Sequence, residues 1–181
     1  MKSALIILAN GFEEVEAIAV IDVLRRGKVH VKLAGLHGLW VPSARHVIIQ
    51  ADAQLADVQD QLFDAVILPG GEPGTTGLEE SPLVAEILNR HVHAQKWIAA
   101  ICAAPRILNG LGLLDGRRAT SFPGTKSAMN RCTYIEQPVV KDGHFITSRG
   151  PGTALKFGLE IVAALTSEED AAAIASAMLV A

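Results

Sequence analysis

The sequence predicts an α/β protein built on a mostly parallel central sheet with helices on both faces. Three observations lead there. Short, continuous apolar runs recur along the chain, as strands buried on both faces require. Amphipathic helical stretches separate those runs, and alternation of this kind implies a parallel sheet. One apolar run, Trp97-Ile98-Ala99-Ala100-Ile101, passes straight into a helix at Cys102 with no spacer. That is the logic of a sharp strand-to-helix elbow that exposes a nucleophile above a sheet.

Composition bounds the answer further. The chain has 181 residues, half of them hydrophobic, enough for a sizeable core and short for two domains. A single domain over residues 1–181 is expected. The net charge is -3, with Lys and Arg scattered along the chain, so the basic stripe of a nucleic-acid binder is missing. No apolar stretch reaches the roughly 18 residues that span a bilayer. The N-terminal apolar run stops at Asn10-Gly11 and meets acids, unlike a signal peptide with its cleavage site. The expectation is a soluble, cytoplasmic protein whose two cysteines, Cys102 and Cys132, are free thiols.

Taken in order, residues 4–9 read as the first strand and 12–26 as a helix ended by Gly27. Residues 29–34 are a second strand. Residues 40–52 hold two β-like stretches with Pro42 near the break, a small hairpin or edge excursion. Residues 65–68 form a buried strand ending in Pro69-Gly70-Gly71. Ser81-Pro82 is an N-cap followed by proline at the first helical position, opening a helix to about residue 93. Strand 97–101 turns at Cys102 into a helix ending near Gly110. A turn at 141–144, a strand at 145–147, a helix at 153–165 and a final helix capped by Ser167 complete the chain. In parallel α/β sheets ligands bind beyond the carboxyl ends of the strands. Three strand ends therefore matter: Asn10-Gly11, Gly70-Gly71 and Cys102.

Small residues surround Cys102, in Ala99-Ala100-Ile101-Cys102-Ala103-Ala104-Pro105, where bulk would block an elbow. Pro105 is tolerated because the first helical turn needs no N–H from it. An ordinary thiol is only about 3% thiolate at pH 7. A helix N-terminus carries a partial positive charge, so the elbow is expected to lower the thiol pKa. A buried structural cysteine is the competing reading of the same stretch. Glu16 has Phe12, Ala19, Val20 and Val23 around it at helical spacing, which puts it on the inward stripe. An inward carboxylate must be paired or protonated, and burial raises its pKa. A protonated Glu16 can donate a hydrogen bond to a thiolate, and the pair would titrate together. Glu13 and Glu14 read as helix-start acids favoured by the dipole. Gly70 and Gly71 leave room for backbone N–H groups to approach a ligand, and with the N–H after Cys102 they would stabilise an oxyanion. Glycines after a strand also serve simply as turns.

The stretches ALIILANGFEEVE, DAVILPGG, AAICAAP and ITSRGPGT, in this order and spacing, resemble the ThiJ/PfpI family (the DJ-one superfamily), nearest to its bacterial YajL and DJ-one branch. The resemblance covers nearly the whole chain. It implies a flavodoxin-like three-layer sandwich, a homodimer and no cofactor. It makes Cys102 the nucleophile and Glu16 the acid hydrogen-bonded to it, with Gly71 and Ala103 supplying backbone N–H groups. Arg45 matches a basic residue near the site at the dimer interface, and Arg26 another interface arginine. One departure stands out. Members with glyoxalase activity carry a histidine close to the cysteine, and Phe122 occupies that position here, as in the YajL branch. None of His30, His37, His46, His91, His93 and His144 matches a catalytic position. Only His46, beside Arg45, merits a check of its proximity. The six histidines are too scattered for a metal site. Cys132 matches no motif.

The resemblance implies a cofactor-free glyoxalase or deglycase acting on methylglyoxal, glyoxal or their adducts, with glycated or unfolded client proteins as further partners. The alternative is a redox sensor or stress chaperone, because an accessible low-pKa thiol is also the preferred target of peroxide. An amidase or peptidase would need a Cys–His pair, which Phe122 argues against.

Overall fold

Each strand run expected from the sequence forms in a computed structural model, which describes residues 1–180. The elements are β1 (Ser3–Leu8), α1 (Glu14–Arg26), β2 (His30–Gly35), β3 (Trp40–Pro42), β4 (Ile48–Gln50), β5 (Ala53–Gln54), β6 (Ala65–Leu68), α2 (Gly74–Glu79), α3 (Pro82–His93), β7 (Trp97–Ile101), α4 (Pro105–Gly110), β8 (Arg118–Ala119), β9 (Thr133–Tyr134), β10 (Val139–Asp142), β11 (Phe145–Ser148), α5 (Ala154–Leu165) and α6 (Glu168–Ala177).

The central sheet has seven strands in the order β10-β11-β7-β6-β1-β2-β5. Its pairs are parallel, with Ser3 opposite His30 and Ala4 opposite Ala65, except where β10 joins β11 antiparallel at one edge. Strands buried on both faces feed two core layers. From β1, Ala4, Ile6 and Leu8 join Val20, Val23 and Leu24 of α1 and Phe157 and Ile161 of α5. Leu5 and Ile7 instead join Val84, Ile87 and Leu88 of α3 and Ile107 and Leu108 of α4. This two-residue alternation inside a wholly apolar strand produces the three-layer, flavodoxin-like sandwich.

β1 lies between β2 and β6. The chain therefore leaves β1 toward one side of the sheet and later returns to the other. The crevice at the carboxyl end of β1 is a topological switch point, where such sheets bind ligands. The hairpin of β3 and β4 is docked there: the Gly11 N–H donates to Pro42 O at 2.8 Å and the Ala44 N–H to Phe12 O at 2.8 Å. These bonds, and the Glu13 N–H donating to Gly70 O at 2.8 Å, occupy the backbone of residues 11–13. α1 consequently begins at Glu14, two residues later than the apolar pattern suggests. Ser81 and Ser167 cap α3 and α6 as expected, accepting from the Val84 and Asp170 N–H groups. Among the described residues, no helix is long and apolar enough to cross a membrane.

Candidate active site

Three strand ends meet at the switch point, and the local sequence explains how. Cys102 adopts φ +64°, a left-handed conformation that costs a non-glycine residue about 1–3 kcal/mol. The surroundings fix it: the Cys102 N–H donates to Ser148 O at 3.0 Å, and its carbonyl accepts from the Phe122 N–H at 2.8 Å. The elbow expected at Cys102 is thus present, with its thiol only partly buried. Gly70 must be glycine. A Cβ there would lie 2.6 Å from Cys102 Cβ and 2.8 Å from Glu16 Oε2. Gly71 takes φ +91°, and a Cβ on it would meet the Glu13 backbone N at 2.3 Å.

Glu16 is fully buried, as its place on the apolar stripe requires. Its Oε2 accepts from the Gly70 N–H at 2.7 Å, and its carboxyl also interacts with the Cys102 thiol. Burial pushes the Glu16 pKa up to about 7, against the pull of the Gly70 N–H and of Cys102. The thiol departs from expectation. Burial, and then the charge of Glu16, push Cys102 up to about 12, while the N–H groups of Ala103 and Gly71 pull it down. The predicted lowering by a helix N-terminus fails for a physical reason. α4 is only six residues long and starts three residues after the sulfur, so its field is weak against desolvation. The repulsion vanishes when Glu16 carries the proton. Cys102 and Glu16 therefore behave as a pair sharing one negative charge.

A cavity of about 550 Å³ opens over the sulfur, walled by Glu13, Arg45, Glu72, Arg106 and Phe122 among others. A larger cleft of about 700 Å³ lies by Arg25, Lys28 and Lys32 at the start of β2, with no cysteine among its lining residues. Of the predicted site residues, Cys102, Glu16, Gly70, Gly71 and Ala103 come together. Arg45 reaches only the rim, 72% exposed, with Nη1 3.8 Å from Glu13 Oε2. His46 sits at φ +65° in the hairpin turn and does not line the cavity. Arg26 is exposed and pairs with Asp22 at 3.0 Å. Cys132 packs against the α3–α4 core layer, its Sγ donating to Met129 O at 3.5 Å.

The reading of Glu13 and Glu14 as simple dipole acids is incomplete. Glu13 precedes α1 without a side-chain capping bond and forms part of the cavity wall. Glu14 opens α1 but is buried, with Oε2 unpartnered in the protein. Sequence reasoning missed Arg106 and Glu72. The available signal was the position of Arg106, four residues past Cys102 in the first turn of the helix that follows it. Among the described residues, no cluster of three His, Cys, Asp or Glu side chains could hold a metal ion.

Comparison with known proteins agrees with this arrangement. The profile of the DJ-1/PfpI family matches residues 2–164. Protein dj-1beta of Drosophila melanogaster is 45% identical over 99% of this chain and 98% of its own length. The crystal structure of Drosophila melanogaster DJ-1beta superposes with a TM-score of 0.96, covering 99% of this chain and 98% of that one. The glutathione-independent glyoxalase DJR-1.2 of Caenorhabditis elegans is 40% identical over 93% of this chain and 91% of its own length. With a matching family profile, an elbow cysteine and a buried glutamate beside it, this chain belongs to the DJ-1/PfpI family.

Proposed function

We infer that the protein is a cysteine-dependent, cofactor-free enzyme of the glyoxalase or deglycase type, acting on methylglyoxal, glyoxal or their adducts. The observation that carries this reading is Glu16, a fully buried carboxyl held by the Gly70 N–H at 2.7 Å beside the elbow thiol, its pKa pushed up by burial. A carboxyl raised toward neutrality by burial can both accept and return a proton near neutral pH. The name of the nematode relative, a glutathione-independent glyoxalase, supports the same reaction class.

The steps balance without an oxidant. Cys102 passes its proton to Glu16, and the sulfur attacks the aldehyde carbon. The resulting oxyanion faces the Gly71 and Ala103 N–H groups and takes a proton to give a hemithioacetal. A proton then moves from that carbon to the adjacent carbonyl carbon, with Glu16 as the relay, and the hydroxyl proton passes to the neighbouring ketone oxygen, leaving a thioester. Water cleaves the thioester, releasing the thiol and a 2-hydroxy acid. Methylglyoxal plus one water thus gives lactate. Phe122 in the cavity wall offers no imidazole, so the relay falls to Glu16 and water. The working form in this reading is a cytoplasmic homodimer.

The test is methylglyoxal consumption by the wild type, Cys102→Ala and Glu16→Gln. Cys102→Ala is expected to abolish turnover, and Glu16→Gln to lower kcat by about 10²-fold or more. A wild type with an intact thiol and no turnover overturns the reading. Phe122 favours a second reading, a redox sensor, since oxidation of the sulfur needs no imidazole relay. That reading predicts gain of oxygen atoms at Cys102 under mild peroxide with little dicarbonyl turnover.

A further inference from the structure

Arg106 is the second residue of α4, four positions beyond Cys102, its side chain only 18% exposed. Three of its nitrogens are committed to one wall of the cavity. Nη1 meets Glu72 Oε1 at 2.5 Å, Nε meets Glu79 Oε2 at 3.0 Å, and Nη2 donates to Thr76 Oγ1 at 3.0 Å. Glu72 is cross-tied in turn, because its Oε2 accepts from Thr76 Oγ1 at 2.8 Å. A guanidinium presents its donors as a rigid planar fork, so this arrangement sets where α2 and Glu72 sit relative to α4. Among the described residues, the ion pairs that join α4 to this segment are both made by Arg106.

Glu72 directly follows Gly71, and Gly70 and Gly71 are the residues whose N–H groups face Glu16 and Cys102. The loop is also bonded through its backbone: the Thr75 N–H of α2 donates to Gly71 O at 2.8 Å and the Glu13 N–H to Gly70 O at 2.8 Å. The loop is therefore tied to α2 and to the chain before α1, and Arg106 ties it and α2 to α4, the helix that follows the nucleophile.

We propose that Arg106 is a positioning residue for the Cys102–Glu16 pair, acting through Glu72 to hold the Gly70 and Gly71 N–H groups on the two reacting side chains. It does not touch the reacting atoms. Its guanidinium is already spent on Glu72, Thr76 and Glu79, so it is not a free anion-binding group. Misplacing such donors by an ångström is enough to change the chemistry of a site by large factors. The proposal rests on Cys102 being the reactive group of the site, and not on the identity of the substrate.

The test uses the thiol itself. In a Cys132→Ser background Cys102 is the sole cysteine, and its alkylation by iodoacetamide is followed by mass spectrometry across pH. Arg106→Met and Glu72→Gln are both expected to move the midpoint of that profile upward by about one pH unit, since each loosens hydrogen bonds to a shared charge. Glu72→Gln is the decisive variant. Removing a nearby negative charge would by itself favour the thiolate and move the midpoint down. A midpoint that falls or stays put in Glu72→Gln overturns the proposal, as does an unchanged profile in a folded Arg106→Met. If Arg106→Met does not fold, Glu72→Gln alone decides. No dicarbonyl turnover enters the measurement, so failure of the enzymatic reading and failure of this proposal remain distinguishable.

Discussion

A carboxyl group inside an apolar layer is a liability that a protein keeps only where it has work for it, and Glu16 shows the size of that liability. Its pKa rises from 4.5 to about 7 on folding, so between those values the folded state binds a proton that the unfolded state has released. The stabilisation from this group is therefore full below pH 4.5 and is lost as pH rises toward 7. A shift of this size corresponds to about 3 kcal/mol. Glu16→Gln keeps an oxygen for the Gly70 N–H and cannot ionise. Its melting temperature is expected to exceed that of the wild type at pH 8, with the gap closing toward pH 5. Equal gaps at the two pH values would show that Glu16 stays ionised in the fold. The same residue explains why the thiol was misjudged from sequence. A helix dipole at Cys102 comes from the turn after it, but the dominant effects come from burial and from a carboxyl 86 residues earlier in the chain.

At the scale of elements, α3 is tied to the segment leading into β6 through a buried histidine. His91 is fully buried, with Nδ1 2.7 Å from Ile87 O and Nε2 accepting from the Phe63 N–H at 3.1 Å. Those partners demand the neutral tautomer protonated on Nδ1. A second proton would set Nε2–H against the Phe63 N–H, and burial lowers the His91 pKa below 6.5. The unfolded chain then binds more protons than the folded one below pH 6.5, so stability falls as pH drops through that value. Glu16 acts with the opposite sign in the same range, which hides the effect in the wild type. In the Glu16→Gln background, the melting temperature is expected to fall between pH 6.5 and 4.5, and adding His91→Asn should flatten that slope. A flat profile before His91 is changed would refute its role.

Legibility of the elements followed their length and autonomy. Strands of four or more buried apolar residues, such as β6 and β7, declared themselves. β5, β8 and β9 have two residues each and exist only because neighbours pair with them. α2 reads GTTGLE, a poor helix by propensity. It forms where Gly74 can pack against the Phe12 backbone, since a Cβ there would lie 2.7 Å from Phe12 N. In the site, Glu16 was legible because it broke an apolar stripe. The Arg106–Glu72 bridge was not, because its two ends lie 34 positions apart and neither interrupts a pattern.

At the scale of the whole molecule, the sheet buries its two faces but leaves apolar surface at one end. Val15 and Ile18 on α1 are half exposed, and Trp40 and Ile48 on the hairpin more so, Trp40 at 66% and Ile48 at 62%. The two elements are joined at their bases, through the Phe12–Ser43 bridge and the bond from the Ala44 N–H to Phe12 O. Exposed large apolar side chains gathered on adjoining elements mark an association surface. The homodimer we propose, with Arg45 at its interface, would place a second copy at this end of the molecule. A dimer formed there would bring the partner beside the cavity rim, where Arg45 meets Glu13 at 3.8 Å, and would shield that ion pair from water and salt. The expected result in sedimentation equilibrium is a species of twice the 19.1 kDa chain mass. Val15→Glu combined with Ile48→Glu should reduce it to the mass of one chain while preserving the circular dichroism of the sheet and helices. Each buried charge would face an apolar partner surface and cost about 2 kcal/mol or more, enough to dissociate a symmetric contact that repeats every substitution twice. A wild type that sediments as a single chain across the micromolar range would assign the apolar end to some other contact and leave the site complete within one protomer.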